Sequence, residues 1–281
     1  MKLKKIIALL MAMAMCVALL AACSTQTATE TAEDTQTAAD TSAESDWEYI
    51  KDKGEMIVGI TLFAPMNYKE GEELVGFETE FTKAVCEKLG VTPNFQEIDW
   101  GSKEIELNSK NIDCIWNGLT ITDERKANMS ITEPYMNNRQ VMITKAENAE
   151  RFAESVDGAS VVAEVDSTGD ALVNSDEFFA NAEYTAVDSQ AKALMDVEAG
   201  TSDVAVIDYV ASIASIGEGT DYADLVVIEA REFPGDEYGV AFRSGSDVTE
   251  MVNEAMKELA ADGTLGAIAE KYGLSDLMLI K

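Results

Sequence analysis

The sequence of 281 residues predicts an α/β protein built from two similar lobes that are joined by a two-strand hinge. The first observation is an alternation of short apolar runs and helical patterns, β-α-β-α-β, over residues 56–116, which is typical of a parallel sheet. The second is that the same alternation recurs over residues 159–207. The third is a C-terminal stretch, residues 237–281, which is too short for a third domain and has to complete one of the other two.

The elements of the first lobe follow from apolar periodicity. Phe77, Phe81, Val85 and Leu89 recur at helical spacing, and Gly90 then supplies a C-cap, so we predict a helix that ends there. Around this helix we predict strands at Met56–Ile60, Thr92–Ile98 and Ile112–Trp116, and a helical segment at Ser102–Leu107.

The second lobe repeats this layout. We predict strands at Ala159–Val165, Tyr184–Val187 and Val204–Ile207, one helix that starts at Ser167, and another from Ser189 to Gly200. The segments L-N-S-K-N-I-D-C-I-W-N (107–117) and V-E-A-G-T-S-D-V-A-V-I (197–207) share a layout. In each of them an aspartate, Asp113 or Asp203, stands just before a buried strand.

These elements set the expected lobe boundaries. Lobe 1 takes residues 47–144 and 237–281, and lobe 2 takes residues 145–236. The tail contributes a strand at Tyr238–Phe242 and helices at Val248–Ala261 and Leu265–Tyr272. Two chain crossings, near residues 141–146 and 229–236, would form the hinge, which places a closing cleft between the lobes.

The N-terminal part predicts export and a lipid anchor. Three lysines precede the apolar run Ile6–Ala22, and Leu20-Ala21-Ala22-Cys23 is a lipoprotein-type cleavage box. We expect residues 1–22 to be a signal peptide and Cys23 to be the lipidated first residue, which holds the protein outside the cytoplasm at the cell membrane. A retained membrane anchor is the alternative, although the run is shorter than the roughly twenty residues that span a bilayer comfortably. Residues 24–46 contain no basic and no large apolar residue, which predicts a disordered acidic tether.

Charge and residue usage exclude several classes of function. The net charge of −31 at pH 7, or −34 without the three signal-peptide lysines, argues against nucleic acid as a partner, because phosphates need Lys and Arg. Histidine is absent, which removes the usual general base and the commonest metal ligand. No metal-ligand spacing is present, so we expect neither metal nor cofactor. For Cys86 and Cys114, both in apolar stretches, we expect buried thiols rather than a disulfide, although an exported protein is able to form one.

Residues 111–125, N-I-D-C-I-W-N-G-L-T-I-T-D-E-R, carry the first candidate site. Asn117, Gly118 and Thr120 bring carbonyls, amides and a hydroxyl to the carboxyl end of a predicted strand, where ligands bind in α/β sheets. Thr122 is a candidate N-cap, so Arg125 would lie in the first turn of the next helix and face the same crevice. A planar cation beside free backbone groups suits a carboxylate, and an ordinary surface ion pair is the alternative.

Six motifs resemble, in order and spacing, the family 3 bacterial extracellular solute-binding proteins, the amino-acid receptors of ABC importers. They are G-I-T-L-F-A-P-M (59–66), L-V-G-F-E-T-E-F-T-K-A-V (74–85), I-D-W-G-S-K-E-I-E-L (98–107), I-D-C-I-W-N-G-L-T-I-T-D-E-R (112–125), E-P-Y (133–135) and A-D-G-T (261–264). Each motif is weak alone, but six in register over residues 56–272 identify the chain as a member. The resemblance implies two Rossmann-like lobes of the periplasmic-binding-protein fold, type II, around one ligand cleft.

By this resemblance the ligand is an L-amino acid. Arg125 would bind its α-carboxylate as a bidentate pair, and Asp208 would bind its α-ammonium, with a helix-capping aspartate as the alternative for Asp208. The physical reason is that each charge of a zwitterion needs a fixed partner once a closed cleft removes its hydration. Further contacts implied by the resemblance come from Asn117, Gly118, Thr120, Ser167 and Thr168, the last two at a helix start whose amides suit a carboxylate.

Other residues bear on the ligand's side chain. Phe63 and Trp100 align with apolar or aromatic pocket walls in the family, with core packing as the alternative, and Glu164 is a further candidate for facing the cleft. Many members carry an acidic residue where this chain has Thr61, which cannot meet a cationic side chain. We therefore expect a ligand with a neutral polar, sulfur-containing or aromatic side chain.

The function implied is capture of an amino acid by a monomeric, lipid-anchored protein and its delivery to an ABC permease in the membrane, without catalysis. An enzyme of the cyclohexadienyl dehydratase type, which resembles the same fold, is one alternative. Its acid or base would be Asp208, Glu164 or Glu104, because the chain has no histidine. A lipoprotein that presents its ligand to a sensory receptor is the other alternative.

Overall fold

The structure, a computed structural model, describes residues 45–280. The predicted signal peptide, the lipid site Cys23 and residues 24–44 of the tether lie outside the described residues. The described part starts with a helix, Asp46–Lys53, that is capped by Ser45, so folded structure begins slightly ahead of the expected Trp47. No helix between residues 45 and 280 combines the length and the apolar character that crossing a membrane requires.

Short strands and helices alternate along the described range. The strands are β1 (Glu55–Ile60), β2 (Tyr68–Glu70), β3 (Glu73–Val75), β4 (Thr92–Glu97), β5 (Cys114–Thr120), β6 (Met129–Ile131), β7 (Met136–Lys145), β8 (Ser160–Glu164), β9 (Glu183–Val187), β10 (Val204–Asp208), β11 (Leu225–Val227) and β12 (Gly235–Arg243). The α-helices are α1 (Asp46–Lys53), α2 (Phe77–Leu89), α3 (Lys103–Asn108), α4 (Asp123–Asn128), α5 (Ala149–Glu154), α6 (Thr168–Ser175), α7 (Gln190–Glu198), α8 (Tyr209–Ser215), α9 (Val248–Ala261) and α10 (Thr264–Lys271). Short 3₁₀ helices lie at Trp100–Ser102, Ala146–Asn148, Glu177–Phe179 and Ser275–Leu277.

One sheet organises the molecule, in the strand order β4-β1-β5-β12-β7-β10-β8-β9. At one end β4, β1 and β5 run parallel, and at the other end β10, β8 and β9 run parallel. Between them β12 and β7 run antiparallel to their neighbours. The predicted fold class is confirmed, because two parallel groups with crossover helices lie on either side of two long connecting strands.

The long strands β7 and β12 connect the two parallel groups. The first four residues of β7, Met136–Arg139, pair with β12, and the next four, Gln140–Ile143, pair with β10. The change of partner between Arg139 and Gln140 lies just ahead of the predicted crossing at 141–146. The other strand, β12, starts at Gly235, within the second predicted crossing, and continues along β5. The lobe boundaries themselves stay a prediction.

The repeated layout around the two aspartates corresponds to repeated contacts. Asp113 accepts a hydrogen bond from Ile57 N at 2.7 Å through its carboxylate, and its own N–H donates to the carbonyl of Ile57. Asp203 makes the same pair of bonds with Ser160, at 2.9 Å in each direction. Each aspartate therefore bonds to the backbone of a neighbouring parallel strand near the start of that strand. Its carboxylate gives a backbone N–H the hydrogen-bond partner that it needs.

Most predicted elements are confirmed, and one strand needs a correction. The helices α2 and α9 have the predicted bounds, and Thr122 and Ser189 cap their helices as expected. The strand predicted at Ile112–Trp116 instead runs from Cys114 to Thr120. Asn117 and Gly118 suggested a strand end, but pairing of β5 with β12 up to Thr120 and Tyr238 carries the strand through them.

Both faces of β5 are buried. Cys114 and Trp116 belong to the main apolar core with α2, and Ile115 and Leu119 belong to a second core with α3. A strand covered on both faces is expected in the middle of a parallel sheet. The prediction of two buried thiols is confirmed, since Cys86 and Cys114 are free and fully buried.

Candidate functional site

A small cavity lies where the carboxyl ends of the parallel strands of both groups face each other. The structure brings all ten predicted ligand contacts to its wall, together with Glu164 and Gln190. The lining residues are Thr61, Phe63, Trp100, Asn117, Gly118, Thr120, Arg125, Glu164, Ser167, Thr168, Gln190 and Asp208.

Arg125 is a buried cation at the start of α4. Thr122 caps this helix by accepting a bond from Arg125 N at 3.1 Å, which aims the side chain at the cavity. The guanidinium donates from Nη1 to the carbonyl of Thr120 at 2.7 Å and from Nη2 to the carbonyl of Asp166 at 3.4 Å. It is 9% exposed and makes no ion pair within residues 45–280, so the alternative of a surface ion pair is wrong.

Asp208 is a buried anion that ends β10. Its Oδ1 accepts bonds from Asn138 Nδ2 at 2.6 Å and Gln140 Nε2 at 2.7 Å, and its Oδ2 accepts a bond from Gln190 Nε2. It precedes α8, but its side chain makes no capping bond to that helix, so the helix-capping alternative is wrong. The three amide donors hold the carboxylate in one orientation against the cavity wall.

The electrostatics of the cavity are dominated by burial. Burial raises the pKa of Asp208, and the three side-chain amides oppose that rise. Burial lowers the pKa of the Arg125 guanidinium, and the negative charge of Asp208 opposes that change. The charges of Arg125 and Asp208 therefore interact across one cavity, although the two residues form no ion pair with each other. An incoming zwitterion would give each of them a partner.

A buried polar network stands behind the Asn117–Gly118 segment. The side-chain Oδ1 of Asn117 accepts from Thr61 N at 2.9 Å, and its Nδ2 donates to the Thr61 hydroxyl at 2.6 Å. Gly118 N donates to Oε1 of Glu78 at 2.7 Å, and burial raises the pKa of Glu78 to about 7. The expectation that these groups are free for a ligand is therefore corrected: the Asn117 amide and the Gly118 N–H position the strand end.

Gly118 also has a backbone reason to be glycine. Its φ of +55° lies in the left-handed region, and a Cβ there would lie 2.7 Å from Cζ of Phe63. The Phe63 ring therefore packs directly on the backbone at this position. Phe63 and Trp100 are 8% and 6% exposed and form the aromatic part of the cavity wall. Both alternatives therefore apply to each residue: its ring packs in the core and also lines the cavity.

The second parallel group contributes a helix start. Ser167 is the N-cap of α6, since its hydroxyl accepts from Asp170 N at 3.0 Å, and its own N–H donates to the Glu164 carbonyl. The first amides of a helix have no intrahelical partner, so the N–H groups of Thr168 and Gly169 are open to an anion. The hydroxyl and the N–H of Ser167 are both used within this segment, so the free N–H groups expected at this helix start are those that follow Ser167.

The loop residue Asp166, between β8 and α6, bridges the two groups of strands. Its carbonyl accepts from Arg125 Nη2 at 3.4 Å and from Lys103 Nζ at 3.2 Å. Lys103 is 5% exposed and also donates to the carbonyl of Trp100 at 3.1 Å. Two cations of the first group thus contact one carbonyl of the second.

Sequence reasoning missed Gln190, Asn138, Gln140 and Asp236. Gln190 is the first residue of α7, directly after β9, and the rule that sites form at the carboxyl ends of parallel strands could have found it. The other three lie on β7 and β12, where Asn138 Nδ2 also donates to Asp236 Oδ1 at 2.9 Å. Burial and Asp208 raise the pKa of Asp236 to about 6. No sequence signal marked them, because they lie on connecting strands.

These features define a class: an α/β protein with a small cavity between two groups of parallel strands, lined by a buried cation and a buried anion. Comparison with known proteins then places the chain. Residues 56–275 match the bacterial extracellular solute-binding proteins, family 3, and the chain belongs to this family, whose members include amino-acid-binding components of ABC transporters.

Relatives and solved structures agree with this assignment. The chain is 30% identical to the L-cystine-binding protein TcyA of Bacillus subtilis, over 80% of this chain and 84% of that protein. A substrate-binding protein of an ABC uptake transporter from Streptococcus pneumoniae, solved with bound histidine, superposes with a TM-score of 0.77 at 29% identity, over 84% of this chain and 99% of that one. The ancestral amino acid-binding protein AncCDT-1, a precursor of cyclohexadienyl dehydratase, superposes with a TM-score of 0.71 at 26% identity, over 81% and 99% of the two chains.

Proposed function

We propose that this protein is the extracellular substrate-binding component of an amino-acid ABC importer, which captures an L-amino acid in the cavity and delivers it to a membrane permease. The lipid anchor at Cys23 would keep it at the cell membrane as a monomer. The observation that carries the proposal is the pair of buried opposite charges, Arg125 and Asp208, which line one cavity without pairing with each other.

Recognition of the shared part of an amino acid follows from these two residues. Arg125 uses two of its five N–H groups on the carbonyls of Thr120 and Asp166, so the others remain for an α-carboxylate. The α-ammonium would donate to Asp208, whose carboxylate is already oriented by side-chain amides. The start of α6 at Thr168 adds backbone donors on the carboxylate side.

The side chain of the ligand would contact Thr61, Phe63 and Trp100. Two aromatic rings and a hydroxyl already bonded to Asn117 favour a neutral polar, sulfur-containing or aromatic side chain. The similarity to an L-cystine-binding protein supports the sulfur-containing part of this range.

The mechanism we propose is closure around the ligand. The amino acid would bind first to the residues of the first strand group, and the second group would then close through Ser167, Thr168 and Asp208. Bending would occur where β7 changes its pairing partner, between Arg139 and Gln140. Closure removes water from the charged groups and presents the closed form to the permease.

A thermal-shift screen tests the proposal. Residues 23–281 would be heated with each of the twenty L-amino acids and with L-cystine, because a tight ligand raises the apparent stability by mass action. We expect one or a few amino acids to raise the Tm of the wild type and of an Arg151→Ala control, whose exposed side chain lies away from the cavity. Absence of any shift across the panel would refute amino-acid binding.

A catalytic function is the second candidate, because Glu164 is a buried acid in the cavity. Burial and the nearby Asp208 raise the pKa of Glu164 to about 8, in the range of a general acid. The similarity to AncCDT-1 adds a reason to test it. Incubation with prephenate distinguishes the two functions: steady product formation that is lost in Glu164→Gln favours catalysis, and no turnover favours binding alone.

A further inference from the structure

One carboxylate of the cavity has no role in recognising the shared part of an amino acid. Glu164, the last residue of β8, is 4% exposed and lines the cavity. Its Oε1 is buried and accepts no hydrogen bond from any residue between 45 and 280. A buried carboxylate oxygen without a hydrogen-bond donor is unfavourable, so a ligand that brings a donor into the cavity would stabilise Glu164.

Trp100 offers the complementary group. Its Nε1 is buried and donates to no acceptor within the described range, and its ring lines the same cavity. Lys103 Nζ lies 4.7 Å from the centroid of this ring, so the indole stands beside a positive charge. The cavity wall therefore carries one unused acceptor and one unused donor beyond Arg125 and Asp208.

The charges of the residues around the cavity also favour a ligand that donates to Glu164. An α-carboxylate would neutralise Arg125 and an α-ammonium would neutralise Asp208, which leaves Glu164 as the acidic group of the wall that has no ion-pair partner among residues 45–280. Lys103 is the neighbouring cation, but it is bonded to the carbonyls of Trp100 and Asp166. A ligand side chain that brings a cationic N–H group would stabilise the ionised form of Glu164. Glu164 thus supplies, from the other strand group, the acidic residue that position 61 lacks.

We propose that Glu164 and Trp100 form a second subsite, which binds a ligand side chain carrying both an N–H donor and an oxygen acceptor. This inference rests on the proposed function, in which Arg125 and Asp208 hold the α-carboxylate and α-ammonium. Within the proposed range of ligands, L-cystine carries both groups on its side chain. Its second ammonium donates to Glu164 and its second carboxylate accepts from the indole N–H of Trp100.

Protonation of Glu164 gives the subsite a further signature. Burial and Asp208 raise the pKa of Glu164 to about 8, while Lys103 opposes the rise, so the empty cavity holds this group largely protonated at pH 7. A bound ammonium favours the ionised form, and Glu164 then releases its proton. Calorimetry in two buffers of different ionisation enthalpy should detect proton release on binding, and Glu164→Gln should reduce it.

Two mixed disulfides separate the contributions of the two groups. L-cysteine joined to 3-mercaptopropionate lacks only the second ammonium of cystine, and L-cysteine joined to cysteamine lacks only the second carboxylate. We expect the wild type to bind L-cystine at least about tenfold more tightly than either analogue, the size of one charged hydrogen bond. Glu164→Gln should abolish the preference over the first analogue, and Trp100→Phe should abolish the preference over the second. Glu150→Gln, which replaces an exposed carboxylate on α5, is the matched control.

The outcomes distinguish this subsite from the function on which it rests. Equal affinity of the wild type for L-cystine and the analogue without the second ammonium would overturn the subsite, as would a preference that survives in Glu164→Gln. A tightest ligand whose side chain lacks any N–H group would also overturn it, while amino-acid binding would stand. If no amino acid or cystine binds the wild type, the proposed function itself fails. Thermal unfolding of the ligand-free variants shows that they are folded.

Discussion

Replacing Arg125 by alanine removes the cation that is proposed to grip the α-carboxylate. In the ligand-free protein this guanidinium donates to the carbonyls of Thr120 and Asp166, at 2.7 and 3.4 Å. A guanidinium carries five N–H donors, so three of them remain for a ligand. The change therefore removes a whole bidentate contact and disturbs only two neighbouring carbonyls.

The expected loss follows from this geometry. Two charge-assisted hydrogen bonds contribute about 1.5–3 kcal/mol each, so the Kd should rise by roughly 10²- to 10⁴-fold. The fold should survive, because the Asp166 carbonyl keeps its bond from Lys103 and the loss of the donor to the Thr120 carbonyl costs about 1–3 kcal/mol. Removal of a buried cation offsets part of this cost. Binding should thus fall far more than stability.

Titration calorimetry with the tightest ligand from the thermal-shift screen measures the effect. Far-UV circular dichroism and urea unfolding of the ligand-free protein would report the fold. Arg125→Lys keeps the charge without the planar fork and should recover only part of the affinity. Arg151→Ala, on the exposed face of α5, should bind like the wild type. Wild-type affinity in Arg125→Ala would refute the assignment of the carboxylate site.

Three further results are expected. Asp208→Asn removes the negative charge that the α-ammonium needs, so calorimetry should show a Kd at least about 100-fold higher, and a change below tenfold would argue against that role. Gly118→Ala places a Cβ 2.7 Å from Cζ of Phe63 at a φ of +55°. Urea unfolding should show that the free energy of unfolding falls by about 1–3 kcal/mol, and unchanged stability would contradict the close packing. The ligand-free protein should lose stability as pH rises from 5 to 8. Burial raises the pKa of Glu78 from 4.5 to about 7 and that of Glu164 to about 8, so the folded state holds these protons more tightly than the unfolded state. The free energy of unfolding that these two groups contribute is complete below about pH 4.5 and is lost as pH rises through the folded pKa values. Glu78 alone accounts for about 3 kcal/mol. A flat urea-unfolding profile from pH 5 to 8 would contradict this prediction.

Local signals in the sequence were sufficient for much of the fold. The helix α2 begins and ends where its apolar period and Gly90 predict, and Thr122 and Ser189 cap their helices as predicted. Such features depend on neighbours within four residues, so one sequence contains the information needed. The strand that carries the site was placed too early, because its polar end is held in the sheet by pairing with β12, a partner more than a hundred residues away.

The candidate site divides in the same way. Arg125 and Asp208 follow strands whose carboxyl ends meet, and that rule together with the family resemblance brought them to one cavity. Glu78, Asn138 and Gln140 were missed because their role depends on side chains brought together by tertiary folding. Glu78 lies in the first turn of α2 and reaches Gly118, forty residues further along the chain, only in the folded protein.

The most direct test is a crystal structure of residues 23–281 with the amino acid that gives the largest thermal shift. We predict that its α-carboxylate lies within hydrogen-bonding distance of the Arg125 guanidinium and its α-ammonium within hydrogen-bonding distance of the Asp208 carboxylate, inside the closed cavity. A ligand bound elsewhere, or one whose ammonium faces away from Asp208, would contradict the proposed site.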